Sequence, residues 1–158
     1  QINGDNIKSY EEVMEESYRM YINDHKKVWI KFFEILLRSN KRPIIFHCSA
    51  GKDRTGIASF MIQSIFNNHI DKIFENYLIS NDLLTIKAAT AEQKTNSSKQ
   101  DTQVTKNMLS TLGKVQTSYL NAAIDEIEKK YISLENYFIS QLGLKHNDIQ
   151  KIIQIFGN

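Results

Sequence analysis

The sequence predicts an α/β protein that is helical over most of its length. One proline and six glycines in 158 residues leave few helix breakers. Apolar residues recur at helical spacing in most segments. A single β-branched run, Pro43-Ile44-Ile45-Phe46, is followed by a short loop and then by renewed helical spacing, the order of an α/β unit. The length predicts one domain, 1–158, able to bury roughly two-thirds of its unfolded surface without disulfides.

Ser9-Tyr10-Glu11-Glu12 has the form of a capping box, so a first helix of about three turns is expected, with Tyr10, Val13, Met14, Tyr18, Tyr21 and Ile22 on its apolar face. Asn23-Asp24 offers the N-cap of a second helix, whose stripe Val28, Trp29, Phe32, Phe33, Leu36 and Leu37 ends at Ser39-Asn40. Pro43 to Phe46 reads as a buried strand. From Thr55 the residues Ile57, Phe60, Met61, Ser64 and Ile65 resume helical spacing. Lys94 to Gln103 contains no apolar residue and reads as a solvated loop or polar helix end. Leu120, Ala123, Ile124, Ile127, Tyr131 and Leu134, then Ile149, Ile152, Ile153 and Phe156, mark two further amphipathic helices separated by Gly143.

Charge excludes several functions. Twenty basic and eighteen acidic side chains give a net charge of +2, so no long-range field directs the chain to nucleic acid. No run of about 18 apolar residues is present to span a bilayer, and Gln1-Ile2-Asn3-Gly4-Asp5 has no signal-peptide character. The start without Met suggests a fragment, and either a cytoplasmic or a secreted origin fits.

Chemistry concentrates around the one cysteine. His47-Cys48-Ser49-Ala50-Gly51-Lys52-Asp53-Arg54-Thr55-Gly56 has the spacing H-C-x5-R-[ST], which puts a thiol and a guanidinium at opposite ends of a short turn, 43–56 forming strand and loop together. Between a strand and a helix, the backbone N–H groups of Ser49 through Arg54 can curl toward one point where the helix dipole favours an anion. Ser49, Ala50, Gly51 and Lys52 are therefore candidate phosphate binders, and Arg54 can hold two phosphoryl oxygens bidentately. A thiolate in this field should have a lowered pKa and act as a nucleophile. A buried, inert Cys48 is the alternative, but by chance the pattern should arise on the order of once in a million such chains. A nucleotide loop of the G-x-x-x-x-G-K-[ST] type fails, because Phe46 stands at its first glycine and Asp53 follows Lys52. Four scattered histidines and one cysteine suggest no metal cluster, and no cofactor is called for.

At these residues the sequence resembles the cysteine-dependent protein tyrosine phosphatase superfamily. The fuller H-C-S-A-G-K-D-R-T-G is similar to the bacterial tyrosine/lipid phosphatases typified by mycobacterial protein tyrosine phosphatase B. Tyr77-Leu78-Ile79-Ser80-Asn81-Asp82 resembles that branch's Y-L-x-S-N-D. Tyr119-Leu120-Asn121-Ala122-Ala123, continued through Tyr131-Ile132-Ser133-Leu134, resembles its Y-L-x-A-A…Y-x-S-L. Nothing here matches the branch's upstream N-F-R-D-L-G-G-like stretch and strands, so the chain looks like the carboxyl-terminal part of such a domain, and an N-terminal fragment or second chain is expected to complete the sheet.

The resemblance implies a tyrosine phosphatase-like fold with a strand, phosphate loop and helix at its core. Cys48 attacks phosphorus, Arg54 binds the phosphoryl oxygens, Thr55 assists the thiolate, and a phosphocysteine is hydrolysed. His47 orients the loop and supports the thiolate, unless it is an ordinary core histidine. Asp53 is the candidate general acid, with a loop-stabilising role or pairing to Arg54 as its alternative; Asp5 is the other candidate acid. Lys52, expected with its ammonium near the rim, accompanies phosphoinositide as well as phosphotyrosine or phosphoserine/threonine substrates. Residues 71–112 fall where the branch places a helical lid. The competing functions are a catalytically incomplete phospho-ligand binding module and a redox or sulfur-transfer protein, the last requiring neither Arg54 nor an anion cradle.

Overall fold

The computed structural model describes residues 8–92 and 113–157, with side chains described for 8–83 and 113–157. Asp5, the Lys94–Gln103 stretch and the part of the lid region from 93 to 112 lie outside the described residues. Seven helices are described: α1 (Tyr10–Asn23), α2 (Lys26–Arg38), α3 (Asp53–Ile65), α4 (Ile70–Glu92), α5 (Thr117–Tyr131), α6 (Leu134–Leu142) and α7 (His146–Phe156).

The capping box forms as expected. The Glu12 N–H donates to Ser9 Oγ at 3.2 Å and the Ser9 N–H to Glu12 Oε2 at 2.6 Å, an arrangement that stabilises a helix start by about 1 kcal/mol. The second helix departs from expectation. His25 stands at its N-cap without a side-chain bond, and Asp24 closes α1 instead, its N–H donating to Met20 O at 2.8 Å. Asn23 is unavailable for capping because its amide donates to Glu126 Oε1 (2.8 Å) and accepts from Lys130 Nζ (2.9 Å), tying α1 to α5.

The expected strand is corrected. Residues 43–48 adopt no regular structure, and no strand is found among the described residues. A strand needs a neighbour to satisfy its backbone, and every other described element is helical. Ile44 and Phe46 nevertheless pack against the core, Phe46 edge-on to Phe32 at 5.2 Å, while Ile45 is 94% exposed. The described residues are thus mostly helical, as expected, and the α/β expectation has no sheet among them.

At the C-terminal end, two expected helices are three. Ser133 caps α6 by accepting from the Asn136 N–H at 3.1 Å, after Ile132 breaks α5 at φ 70°. Gly143 closes α6 at φ 69°, with the Leu144 N–H donating to Phe138 O.

Packing is that of a helical bundle. α1 lies chiefly along α5, α2 against α6 and α7, and α3 against α4. Tyr18, Ile22, Phe33, Ile57, Met61, Tyr119, Leu120, Ile127, Tyr137 and Ile152 are almost completely buried. Two polar tips inside this core bond to backbone carbonyls: Tyr137 Oη donates to Ile22 O at 2.9 Å and Trp29 Nε1 to Tyr21 O at 2.7 Å. Asn81 on α4 brackets Val115, donating to its carbonyl (3.0 Å) and accepting from its N–H (2.7 Å). This bundle fixes α3, and with it the loop that precedes it.

Candidate active site

Irregular residues after α2 deliver Cys48 to the loop, and α3 begins at Asp53, two residues before the helical spacing in the sequence becomes apparent. The loop is closed end to end by one bond, from the Cys48 N–H to Thr55 Oγ1 at 3.0 Å. The first helical bond follows at once, from the Gly56 N–H to Lys52 O at 2.7 Å. Gly51 turns the chain at φ 71°, in the left-handed region where a side chain is strained even though no atom lies within 4 Å of a would-be Cβ. Ser49, Ala50, Gly51 and Arg54 are exposed and Cys48 is half-buried, so the loop opens to solvent.

The Cys48 thiol reflects this setting. Partial burial pushes it up, but the Thr55 hydroxyl and the backbone N–H groups of Thr55, Gly51 and Lys52 together outweigh burial and hold it at about 7, against the ordinary 9.0. Half of it is then thiolate at neutral pH. His47 is exposed, which rules out a core histidine, and its Nδ1 lies 3.1 Å from the Cys48 carbonyl.

Two basic residues part ways. Arg54 is exposed on the first turn of α3, directly after the loop. Lys52 is 7% exposed, and its ammonium lies 3.5 Å from Asp53 Oδ1 rather than on the rim. The expected rim placement is therefore corrected. The cause is local: Lys52 occupies the N-cap of α3 and turns inward toward the carboxylate that follows it.

Asp53 is also held from below. Tyr18 Oη on α1 donates to Asp53 Oδ1 at 2.9 Å, and Tyr77 Oη on α4 lies 2.6 Å from Tyr18 Oη. Among the described residues Asp53 forms no ion pair with Arg54. Burial raises both phenols well above the ordinary range, so each keeps its hydrogen. Gly56 admits this arrangement, since a Cβ there would come within 2.7 Å of the Tyr77 ring. Tyr21 completes the surroundings: burial raises its phenol, with Asp53 and Cys48 adding to the rise and Arg54 opposing it. Sequence reading assigned Tyr18 and Tyr21 only to an apolar helix face and Tyr77 only to a motif. The available signal was that a tyrosine on a core face usually brings its hydroxyl to a hydrogen-bond partner.

This site brings together Cys48, the loop amides, Arg54, Thr55 and Asp53. It can bind a tetrahedral anion and present a thiolate to it.

The chain is similar to known phosphatases. A model of the tyrosine phosphatase family matches residues 2–156. A candidate tyrosine-protein phosphatase of Cupriavidus necator is 32% identical over 96 residues, 61% of this chain and 34% of that protein. An inositol diphosphatase of Saccharomyces cerevisiae is 32% identical over 71 residues, covering 45% of this chain and 25% of the relative. A tyrosine-protein phosphatase of Nostoc commune is 27% identical over 74 residues, 47% of this chain and 25% of its own length. The chain thus matches only a quarter to a third of each of these relatives.

Proposed function

The chain belongs to the tyrosine phosphatase family, and on that premise we propose that it is a metal-independent phosphomonoesterase working through a phosphocysteine. The observation that carries this reading is a thiol held at about 7 at the base of an open, amide-lined loop. The Cys48 thiolate attacks phosphorus, the bond from phosphorus to the leaving oxygen breaks, and Asp53 protonates that oxygen. Arg54 and the amides of Ser49 to Arg54 hold the equatorial oxygens as charge shifts. Water then attacks the phosphocysteine, Asp53 takes its proton, and the thiolate and phosphate separate.

The substrate proposed is phosphotyrosine, with phosphoserine/threonine and phosphoinositides as further candidates. The kinship with an inositol diphosphatase supports including inositol phosphates. Because Lys52 points at Asp53, its effect on lipid substrates would pass through the site rather than through a rim contact. Comparing kcat/KM of Lys52→Ala on phosphotyrosine and on a phosphoinositide decides this, since a direct second-phosphate contact would cost only the latter.

A second reading, a phospho-ligand binding module without turnover, is favoured by one observation. Residues 43–46 have no strand beside them among the described residues, and Ile45 is exposed. A strand from additional sequence or a second chain would satisfy that segment. Turnover of an aryl phosphate in EDTA, with a trapped phosphocysteine absent in Cys48→Ser, supports the enzyme. Phosphate binding without turnover supports the module.

A further inference from the structure

The geometry points to Tyr18, backed by Tyr77, as a positioning residue that fixes Asp53 so that Oδ2 is the oxygen carrying the proton to the leaving group. This rests on the reading of Asp53 as the acid.

Hydrogen bookkeeping supports the direction of the chain. Tyr18 has one hydroxyl hydrogen, and it goes to Asp53 Oδ1. The 2.6 Å contact between the phenols must then use the Tyr77 hydrogen, with Tyr18 Oη accepting. Lys52 Nζ approaches the same carboxylate oxygen, at 3.5 Å. Donor and cation therefore converge on Oδ1, while Oδ2 accepts no hydrogen bond among the described residues. A proton on Oδ1 would face both a donor and an ammonium, so the acid form carries its proton on Oδ2.

The scaffold makes this orientation rigid. Tyr18 is fully buried on α1 and Tyr77 nearly so on α4, and the Tyr77 ring is seated against Gly56 on α3. Three helices thus converge on one carboxylate at the start of α3. Two phenylalanines would fill the same space without burying hydroxyls; the polar pair is accounted for by its bond to Asp53.

The test is kcat/KM on aryl phosphates of graded leaving-group acidity for wild type, Asp53→Asn, Tyr18→Phe, Tyr77→Phe and the Tyr18→Phe/Asp53→Asn double variant. Tyr18→Phe is expected to cost the poorest leaving group roughly tenfold more than the best, with a smaller loss of the same selectivity in Tyr77→Phe. In the Asp53→Asn background Tyr18→Phe should cost nothing further. Uniform loss across leaving groups, or full additivity in the double variant, overturns the positioning role while leaving Asp53 as the acid. A flat leaving-group dependence in Asp53→Asn alone overturns the acid assignment and Tyr18 with it. Should Tyr18→Phe fail to fold, Tyr77→Phe decides, since selective loss there supports the chain and uniform loss refutes it.

Discussion

Replacing Thr55 with Val tests the electrostatics of the loop most directly. The Thr55 hydroxyl is the largest of the influences that lower the Cys48 thiol, and burial opposes it. Val keeps the shape and removes the hydroxyl. A hydrogen bond to a charged group is worth about 1.5–3 kcal/mol, which converts to roughly one to two pH units in the thiol midpoint. The midpoint should therefore climb from about 7 toward the ordinary 9.0. At pH 7 the thiolate fraction would fall from about one-half to between roughly one-tenth and one-hundredth. Cys48 is the only cysteine, so thiolate absorbance and iodoacetamide alkylation rate, followed against pH, report on it alone. Alkylation at pH 7 should slow about five- to fiftyfold, in parallel with the lost thiolate. An unmoved midpoint in Thr55→Val, or a wild-type midpoint already near 9.0, would refute the claim that hydrogen bonds from the loop create the nucleophile.

Stability should also depend on this thiol. Its folded midpoint lies below the unfolded one, so between about 7 and 9.0 the unfolded chain binds more protons and raising the pH favours the folded state. Denaturant midpoints should rise across that window in wild type and lose this component in Cys48→Ser. Arg54→Lys should lower kcat/KM on the order of a hundredfold at constant charge, because the planar fork is lost; steady-state kinetics showing a mild effect would contradict the bidentate role. Gly56→Ala, which would stabilise an ordinary helix interior by about 1 kcal/mol, should instead destabilise by roughly 1–3 kcal/mol through its 2.7 Å clash with the Tyr77 ring. A raised Tm in that variant would show that the ring can move aside.

What the sequence alone determined is what depends on near neighbours. Ser9 and Glu12 are three residues apart and can cap each other whatever else the chain does. Cys48 to Thr55 spans eight positions, so a short loop ahead of a helix brings hydroxyl, amides and thiol together without distant help. Gly143 ends a helix through its own backbone freedom. Tertiary structure decided the rest, because there the competing partners lie far along the chain. Asn23 has the chemistry of a cap, yet bonds to Glu126 and Lys130 across the α1 and α5 contact. Pro43 to Phe46 has strand-forming residues, but a strand exists only through a neighbour's hydrogen bonds, and no described segment supplies them. Lys52 meets the adjacent Asp53, but that it does so while only 7% exposed depends on the helices packed around the start of α3. The bond from Tyr18 to Asp53 joins residues 35 apart and the contact with Tyr77 residues 59 apart. Helical periodicity placed Tyr18 on the core face, but which oxygen its hydroxyl would meet there depended on how α1, α3 and α4 pack, because a buried hydroxyl bonds whatever partner that packing brings within reach.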